Sequence, residues 1–423
     1  MPVRLETELA DLVVNHPRLA AATDRVREAD EGVREAKSLY LPEVAVSGRG
    51  GYAHFDTPAR RVVEVGSLST GSYSSRAIVR QRLFDGNGRA ERVEIASIGL
   101  DRTELERQAT LEDVLLEGAT AYHAVIRDAI LVEIAFAQEG SIKRQLNLED
   151  ERVRRGGGIA VDVLFAKARL QNAVQERVAL EGEFARSKAN YAQVFGRLPD
   201  VDEMVEPIAP LQLLPETLDA ALAIADAENL RLAIVREDLA AADRDRALAR
   251  SSYFPRIDLL GEGILEENVD GISGYRREAG AYIEFSWTLF DGFAREARTG
   301  QAAARFAANQ NRTRDVDRLV REEVERAYVD LETARQRVGL LENAATIAAE
   351  VFEARRRLRA LGEETAINVL DAESELFEAR LELVEADFTS RIAVYRLAAA
   401  LGRLTPAGLE LRLKAALDET AAR

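Results

Sequence analysis

The chain has 423 residues and a formal net charge of −16, and 31% of its residues are charged. This length is large for one compact core, so it predicts either several domains or one extended architecture. The acidic balance excludes nucleic acid and anionic membrane surfaces as main partners, because both favour a basic surface.

The residue types exclude several kinds of site. The chain has no cysteine and three histidines, His16, His54 and His123, which lie far apart. We therefore expect no disulfide, no metal centre and no cofactor. Phosphate-loop, zinc-protease and dinucleotide motifs are missing from the sequence, so we expect no enzyme. No apolar run approaches the roughly 18 residues of a membrane-spanning helix, a test that the alternating strands of a transmembrane β-barrel escape.

An internal duplication organises the chain. Residues 40–42 (Tyr-Leu-Pro) recur as 253–255 (Tyr-Phe-Pro), and the Leu-Phe-Asp-Gly of 83–86 recurs at 289–292. The second offset, 206 residues, then holds without a gap to the Gly-Arg-Leu that ends each copy. These motifs are not typical of helix composition, so chance similarity between Ala/Arg/Glu-rich helices does not explain the match.

Each copy is predicted to contain a helix, a β-hairpin, a very long helix and a shorter helix. In the first repeat, residues 1–198, these elements are the helix at 3–39, the hairpin at 43–84 and the helices at 86–155 and 161–196. After a proline-rich linker at 199–215, the second repeat, 216–404, has the helix at 216–252, the hairpin at 256–290 and the helices at 292–361 and 367–402. Residues 405–423 form a C-terminal segment.

The hairpins alternate apolar and polar residues with the period of two that a half-buried strand requires. The apolar positions are Ala77, Val79 and Leu83 in the first hairpin and Ala281, Ile283, Phe285, Trp287 and Leu289 in the second. Glycine- and serine-rich stretches at 66–72 and 271–274 are predicted to be the turns. Because such hairpins expose unpaired edges and an apolar face, they predict a barrel that several copies close in a bilayer.

The long helices carry a coiled-coil pattern. Each spans 70 residues without proline, or about 105 Å. From Val320 to Phe352, apolar residues recur at alternating steps of four and three, which is typical of a coiled-coil seam. Glycines at 156–158 and 362 are predicted to cap the C-termini of these helices.

In these features the whole chain resembles the TolC-like family of outer-membrane efflux and secretion channels. The resemblance depends on residues 16–19 (His-Pro-Arg-Leu), the Tyr-x-Pro strand entries, the two Leu-Phe-Asp-Gly motifs, and the Asp-Val-Leu of 162–164 with its counterpart Asn-Val-Leu of 368–370. It implies a mainly α-helical fold with β-hairpins, in which a homotrimer completes a 12-stranded outer-membrane barrel above a coiled-coil helical barrel. The linker and the C-terminal segment would form an equatorial region.

The resemblance also implies a passive exit duct in contact with outer-membrane lipid, through which substrates pass from a periplasmic adaptor and an inner-membrane pump. Type I secretion and drug efflux are not separated by the sequence. Residues 1–6 carry no export signal, so the chain is expected to be intracellular or a mature form whose signal was removed. The resemblance favours a mature chain that lies mostly in the periplasm.

Carried over by position, a periplasmic gate would include Asp371, Asn368 and Asp162. The tips that dock the adaptor would be Gly156, Gly157, Gly158, Ile159, Ala160 and Val161 in the first repeat and Gly362, Glu363, Glu364 and Thr365 in the second. Three copies of one carboxylate around a pore attract cations, which predicts mild cation selectivity. The alternative role for Asp162 and Asp371 is a helix N-cap or a first-turn charge.

A soluble coiled-coil scaffold or adaptor is the alternative class of protein. It explains the heptads and the acidity directly. It does not explain two hairpins with matched apolar faces at equal positions in a duplication.

Overall fold

The structure, a computed structural model, describes residues 3–64, 66–157 and 159–410. These residues form nine α-helices and four β-strands in two series that follow the duplication. The first series is α1 (Leu5–Asn15), α2 (Pro17–Ser38), β1 (Glu43–Phe55), α3 (Pro58–Val62), β2 (Leu68–Phe84), α4 (Gly88–Arg154) and α5 (Ala160–Phe195). The second series is α6 (Leu218–Glu228), α7 (Leu230–Ser251), β3 (Arg256–Glu267), β4 (Tyr275–Ser286), α8 (Ala294–Leu361) and α9 (Ala366–Ala400).

The first helix of each repeat is broken in two, so the prediction of continuous helices at 3–39 and 216–252 was wrong. In the first repeat His16 is extended, because Pro17 disfavours the helical conformation of the residue before it. In the second repeat Asn229 is extended without a following proline. The Asn229 side chain there accepts a hydrogen bond from the Leu232 amide at 3.1 Å and donates one to the Ala400 carbonyl oxygen at 2.8 Å.

The first hairpin turns earlier than expected. Residues 68–72 belong to β2, and the chain reverses at 56–67, around the short helix α3. The second hairpin turns at 268–274, which includes the predicted stretch. The serine and glycine residues at 68–72 therefore extend a strand whose neighbours supply its hydrogen bonds, and local composition alone did not show this.

The two hairpins form one antiparallel sheet in the order β1-β2-β3-β4. The pairing of β2 with β3 joins the two repeats, and it places Val79 opposite Gly261, whose other neighbour is Ala281. Strands β1 and β4 are the edges of the sheet, and each presents one unpaired side in the described chain.

The long helices α4 and α8 have 67 and 68 residues. Each ends at a glycine with positive φ, Gly156 at 79° and Gly362 at 84°. The following amides, of Gly157 and Glu363, donate to the carbonyl oxygens of Arg152 and Leu358, both at 3.0 Å. This pattern satisfies carbonyls that a helix end leaves free, so the predicted glycine caps are confirmed at both positions.

The described chain divides into two compact units, and each draws on both sequence repeats. The first comprises residues 3–23, 106–233 and 315–410, and the second comprises 24–105 and 234–314. In the first unit, Leu9, Leu115, Tyr122 and Leu404 are at most 1% exposed. The predicted seam of α8 contributes to a core in this unit, where Val320 and Val324 are buried, but from Val338 to Phe352 its positions are only half-buried.

Candidate functional site

The four-stranded sheet has one apolar face. Directly paired residues of adjacent strands project to the same face, and Val44, Val79, Gly261 and Ala281 form one such row. The next rows place Ile283 opposite Leu259 and Phe285 opposite Ile257. The side chains of Ile283 and Phe285 are 71% and 64% exposed. The register therefore combines the apolar positions predicted separately in each hairpin, including Ala77, on one exposed face.

Three of the predicted apolar positions depart from this register. Leu83 lies at a β-bulge between Arg82 and Phe84, where the pairing with β3 shifts. Trp287 and Leu289 were expected to continue the alternation of β4, but that strand ends at Ser286. The indole nitrogen of Trp287 donates to the Tyr253 carbonyl oxygen at 3.0 Å, so the side chain is tied to the start of the hairpin. Both residues remain exposed.

The opposite face of the sheet carries cross-strand ion pairs. Arg82 contacts Asp258 at 3.1 Å, and Arg76 contacts Glu262 at 3.2 Å. The side chains of Asp258 and Glu262 are 16% and 24% exposed. A sheet with one apolar face and one ion-paired face suits a boundary between lipid and water.

The repeated sequence motifs meet at an arginine that sequence reasoning missed. In the first repeat, Arg89 forms a buried ion pair with Asp85 of the Leu-Phe-Asp-Gly motif at 3.4 Å. Its guanidinium donates to the carbonyl oxygens of Arg82 at 2.8 Å and Leu83 at 3.2 Å. It also lies 4.7 Å from the ring centroid of Tyr40, the tyrosine of the Tyr-x-Pro motif.

The second repeat has the same arginine–aspartate–tyrosine contacts. Arg295 pairs with Asp291 at 3.3 Å and lies 5.3 Å from the ring of Tyr253. Arg89 and Arg295 are separated by the repeat offset of 206 residues, so extending the internal alignment by a few residues would have found them. In the first repeat this arginine ties the end of β2 to the start of α4, and in the second it holds Asp291 and Tyr253 at the start of α8.

We expect Arg89→Met to destabilise the protein by about 3 kcal/mol, because Asp85 then stays buried without its cation. Arg295→Met should have a similar effect. Guanidinium unfolding of the purified protein in detergent measures the change. Arg25→Met, on the exposed surface of α2, is the matched control and should change stability by less than about 0.5 kcal/mol. Equal effects of Arg89→Met and Arg25→Met would contradict the role of the buried pair.

The predicted tips lie around two loops, one before α5 and one before α9. Gly156, Gly157 and Ile159 precede α5, whereas Ala160 and Val161 already belong to its first turn; Gly158 lies outside the described residues. Gly362, Glu363, Glu364 and Thr365 form the loop before α9. The hydroxyl of Thr365 accepts from the Asn368 amide at 3.3 Å and so caps α9. Ile159, Val161 and Leu361 are at least 50% exposed.

Arg359 of α8 ties the two tips together. Its guanidinium forms two hydrogen bonds to the Glu149 carboxylate of α4, at 2.6 and 3.1 Å. The same guanidinium lies 3.8 Å from Asp162 in the first turn of α5 and donates to the Glu364 carbonyl oxygen at 2.9 Å. Glu149 is 7% exposed and Arg359 is 21% exposed, so this contact is largely shielded from water.

Asp371 and Asn368 also have partners within the chain. Asp371 lies in the second turn of α9, so it is neither an N-cap nor a first-turn charge, and it pairs with Arg169 of α5 at 2.5 Å. The Asn368 side chain donates to Glu364 at 2.5 Å. This hydrogen bond, together with that from the Thr365 amide, lowers the pKa of Glu364. The residues of the predicted gate therefore have hydrogen-bond and ion-pair partners within the chain.

A buried carboxyl that the sequence did not single out lies farther along α4. Glu112 is 8% exposed, and its Oε1 atom has no hydrogen-bond partner among the described residues. Burial, and then the negative charge of Asp113, raise the pKa of Glu112 to about 8. It lines a cavity of about 640 Å³ whose other charged residues are Asp113, Arg231, Glu323, Arg326, Asp330, Arg337 and Arg396.

In the part of the chain that the structure describes, no group of three or more His, Asp or Glu side chains is placed to hold a metal ion. In the same residues, no helix is both long and apolar enough to span a membrane.

Comparisons with known proteins connect this geometry to a family. The sequence profile of outer membrane efflux protein matches residues 9–197 and 221–403. Protein CyaE of Bordetella pertussis is 31% identical over 78% of this chain and 69% of its own length. The alkaline protease secretion protein AprF of Pseudomonas aeruginosa is 26% identical over 80% of this chain and 72% of its own. The outer-membrane channel OprN has the same fold, with a TM-score of 0.82 and 20% identity over 94% of this chain and 89% of OprN.

The profile match covers most of both repeats and leaves out the whole linker between them. The predicted family, the mainly α-helical fold with four strands and the outer-membrane location are confirmed. The comparisons support an efflux and secretion channel and give no support to a soluble coiled-coil scaffold. This chain belongs to the outer membrane efflux protein family.

Proposed function

We propose that the chain works as a homotrimer that forms a passive, non-catalytic exit duct through the outer membrane. The observation that carries this proposal is the sheet, which has one apolar face, one ion-paired face and two free edges. Three copies joined edge to edge would give 12 strands and satisfy the backbone groups that β1 and β4 leave unpaired. The apolar face would contact lipid, and the ion-paired face would line the duct.

The absence of native cysteine allows a direct test of this closure. Val46→Cys on β1 is combined in turn with Ala279→Cys, Ala281→Cys or Ile283→Cys on β4, all on the apolar face. Because β1 and β4 are opposite edges of one sheet, a disulfide forms only between copies. Oxidation of membranes should give covalent dimers and trimers for one of these pairs. Each single-cysteine variant is the control, and monomers from every pair would contradict the trimer.

We propose that the tips dock a periplasmic adaptor, which connects the duct to an inner-membrane pump. The exposed apolar residues Ile159, Val161 and Leu361 support this role, because exposed apolar side chains grouped at helix ends favour contact with a protein partner. Site-directed photocrosslinkers at Ile159 and Leu361 should capture the adaptor in cells. A crosslinker at the exposed Leu340, on the same long helix as Leu361, is the control.

The cargo of the duct is either a small molecule or an unfolded secreted protein. The similarity to AprF, a protease secretion protein, favours the secreted protein. Expression of this chain in Pseudomonas aeruginosa that lacks AprF should then restore alkaline protease in the medium. Restored drug resistance in an efflux-deficient strain without protease secretion would favour the small molecule.

We propose that Asp371, Asn368 and Asp162 narrow the periplasmic end, with Asp371 setting ion selectivity. Because Arg169 offsets the charge of Asp371, Arg169→Gln should raise the cation preference, whereas Asp371→Ala should remove it. The reversal potential in a planar bilayer under a salt gradient measures both changes. Glu375→Gln, at an exposed position of the same helix, is the control. Unchanged selectivity in both variants would remove Asp371 from the gate.

A further inference from the structure

A cavity of about 250 Å³ lies in the second unit, beside the start of the long helices. Its wall includes five arginines from four elements: Arg82 of β2, Arg92 of α4, Arg256 of β3, and Arg298 and Arg305 of α8. This concentration of positive charge is unusual for a chain whose net charge is −16. The local charge of the cavity is therefore opposite in sign to the net charge of the chain.

Most of this charge is not neutralised within the chain. Arg82 pairs with Asp258, which lies outside the cavity lining, and the lining carboxylate Asp85 pairs with Arg89. Among the described residues, Arg92, Arg256, Arg298 and Arg305 have no ion-pair partner, and Asp245 is the one lining carboxylate without an arginine partner. The cavity thus carries an excess of about three positive charges, because arginine stays protonated at any physiological pH.

The spacing on α8 directs two of these arginines to the cavity. Arg298, Ala302 and Arg305 follow one another at steps of four and three, so they share one face of the helix. Ala302 is 6% exposed and has a small side chain, which leaves space between the two guanidinium groups. Arg82 and Arg256 approach from the ion-paired face of the sheet, since Arg82 lies opposite Asp258 and Arg256 opposite Ser286.

We propose that this cavity, the arginine cavity, is a binding site for a phosphate group. Guanidinium groups match phosphate oxygens in geometry, and several that converge on one tetrahedral dianion satisfy its acceptors with charge-assisted hydrogen bonds. The volume of 250 Å³ accommodates a phosphate with part of its hydration shell. Two sources supply this chemistry, a phosphorylated solute in the water of the duct and the headgroup of a lipid. Only the first source rests on the proposed function.

Binding is measured on the full trimer in detergent, without transport. Equilibrium dialysis uses radiolabelled inorganic phosphate at low ionic strength, because salt screens exposed charges. The double variant Arg298→Gln/Arg305→Gln should weaken phosphate binding by at least about tenfold. Arg318→Gln/Arg335→Gln removes the same charge from exposed positions of the same helix, outside the cavity, and should bind within about twofold of the original protein.

A second arm identifies a lipid source. The protein is purified in phosphate-free buffer, and the phosphorus extracted from it with organic solvent is counted per chain. Lipid phosphorus near one per chain that the cavity variant loses and the control keeps assigns the site to a headgroup. Phosphate binding without such phosphorus assigns it to a solute.

If the double variant does not assemble, Arg92→Gln alone is compared with Arg25→Gln in both arms. Phosphate or lipid phosphorus that is lost only from the cavity variant supports the proposal. Absence of both from the original protein, or equal loss in the cavity variant and its control, would overturn it. A trimer that binds phosphate but fails to conduct would contradict the proposed duct and leave this site standing.

Discussion

Glu112→Gln should stabilise the protein by about 4 kcal/mol at pH 8 and above, and change its stability little near pH 4. The pKa of Glu112 is raised from 4.5 to about 8 in the folded chain, mainly by burial. The folded state therefore keeps a proton that the unfolded state releases, and stability falls as the pH rises from about 4.5 to about 8. Glutamine has no proton to lose, so it removes this dependence. Thermal unfolding of the purified trimer at a series of pH values measures the difference.

The control is a buried histidine in the same unit, whose effect on stability changes with pH in the opposite direction. Burial lowers the pKa of His123 from 6.5 to about 4, and its Nδ1 atom lies 2.7 Å from the Ala119 carbonyl oxygen. As the pH falls, the unfolded state binds a proton on His123 before the folded state does. The stability that the neutral His123 contributes is therefore present above pH 6.5 and is lost, by about 3 kcal/mol, as the pH falls to about 4. His123→Gln should flatten the acid side only. A Glu112→Gln protein whose stability still falls between pH 5 and pH 8 as in the original would contradict the assignment to Glu112.

With the tips acting as the proposed gate, Arg359→Gln should raise the open probability of the channel strongly. Arg359 joins Glu149 of α4, Asp162 of α5 and the loop before α9, so its removal separates the two tips. Glu149 retains Arg152 at 3.1 Å, which limits the loss to about 2 kcal/mol. A bias of that size shifts an equilibrium between closed and open tips about thirtyfold. Single-channel recording in planar bilayers measures the open fraction.

Arg356→Gln is the matched control for this variant. Arg356 lies one turn away on the same helix, is 62% exposed and pairs only with Glu353 within the described residues. The Arg356→Gln variant removes the same charge but leaves the contacts of Glu149 and Asp162 in place, so the open fraction should stay as in the original protein. Equal currents from Arg356→Gln and Arg359→Gln would show that net charge, rather than the contact between the tips, sets the opening.

Much of the fold was predictable from the residues alone. The first Leu-Phe-Asp-Gly motif located the end of its hairpin, the second lies three residues beyond the end of β4, and the glycines at 156 and 362 located the ends of both long helices. The apolar positions Val79 and Ala281 were each assigned to an apolar face, and the pairing places them on the same face of the sheet. One error came from following the helical spacing of apolar residues past a proline. At His16-Pro17 a helix was expected to continue, but α1 ends at Asn15.

The candidate site was harder to predict than the fold. Asp371 was chosen as a pore carboxylate by its position in a family pattern, but Arg169, its partner, lies 202 residues away in the chain. Arg359 and Glu149 are separated by 210 residues. Such pairs leave no mark on the spacing of either segment, because each charge alone looks like part of a solvated helix face.

Element order, helix ends and strand faces follow from the sequence because they depend on interactions a few residues long. Turns, caps, and the periods of two and of about 3.6 residues are all of this local kind. Other features depend on which distant segments come together. These are the joining of the two hairpins into one sheet, the arginine that contacts the repeated motifs in each repeat, the ion pairs of the predicted gate, and the arginine cavity. Those contacts form through packing and charge pairing in the folded chain, and residue spacing in a single sequence does not show which distant segments pair.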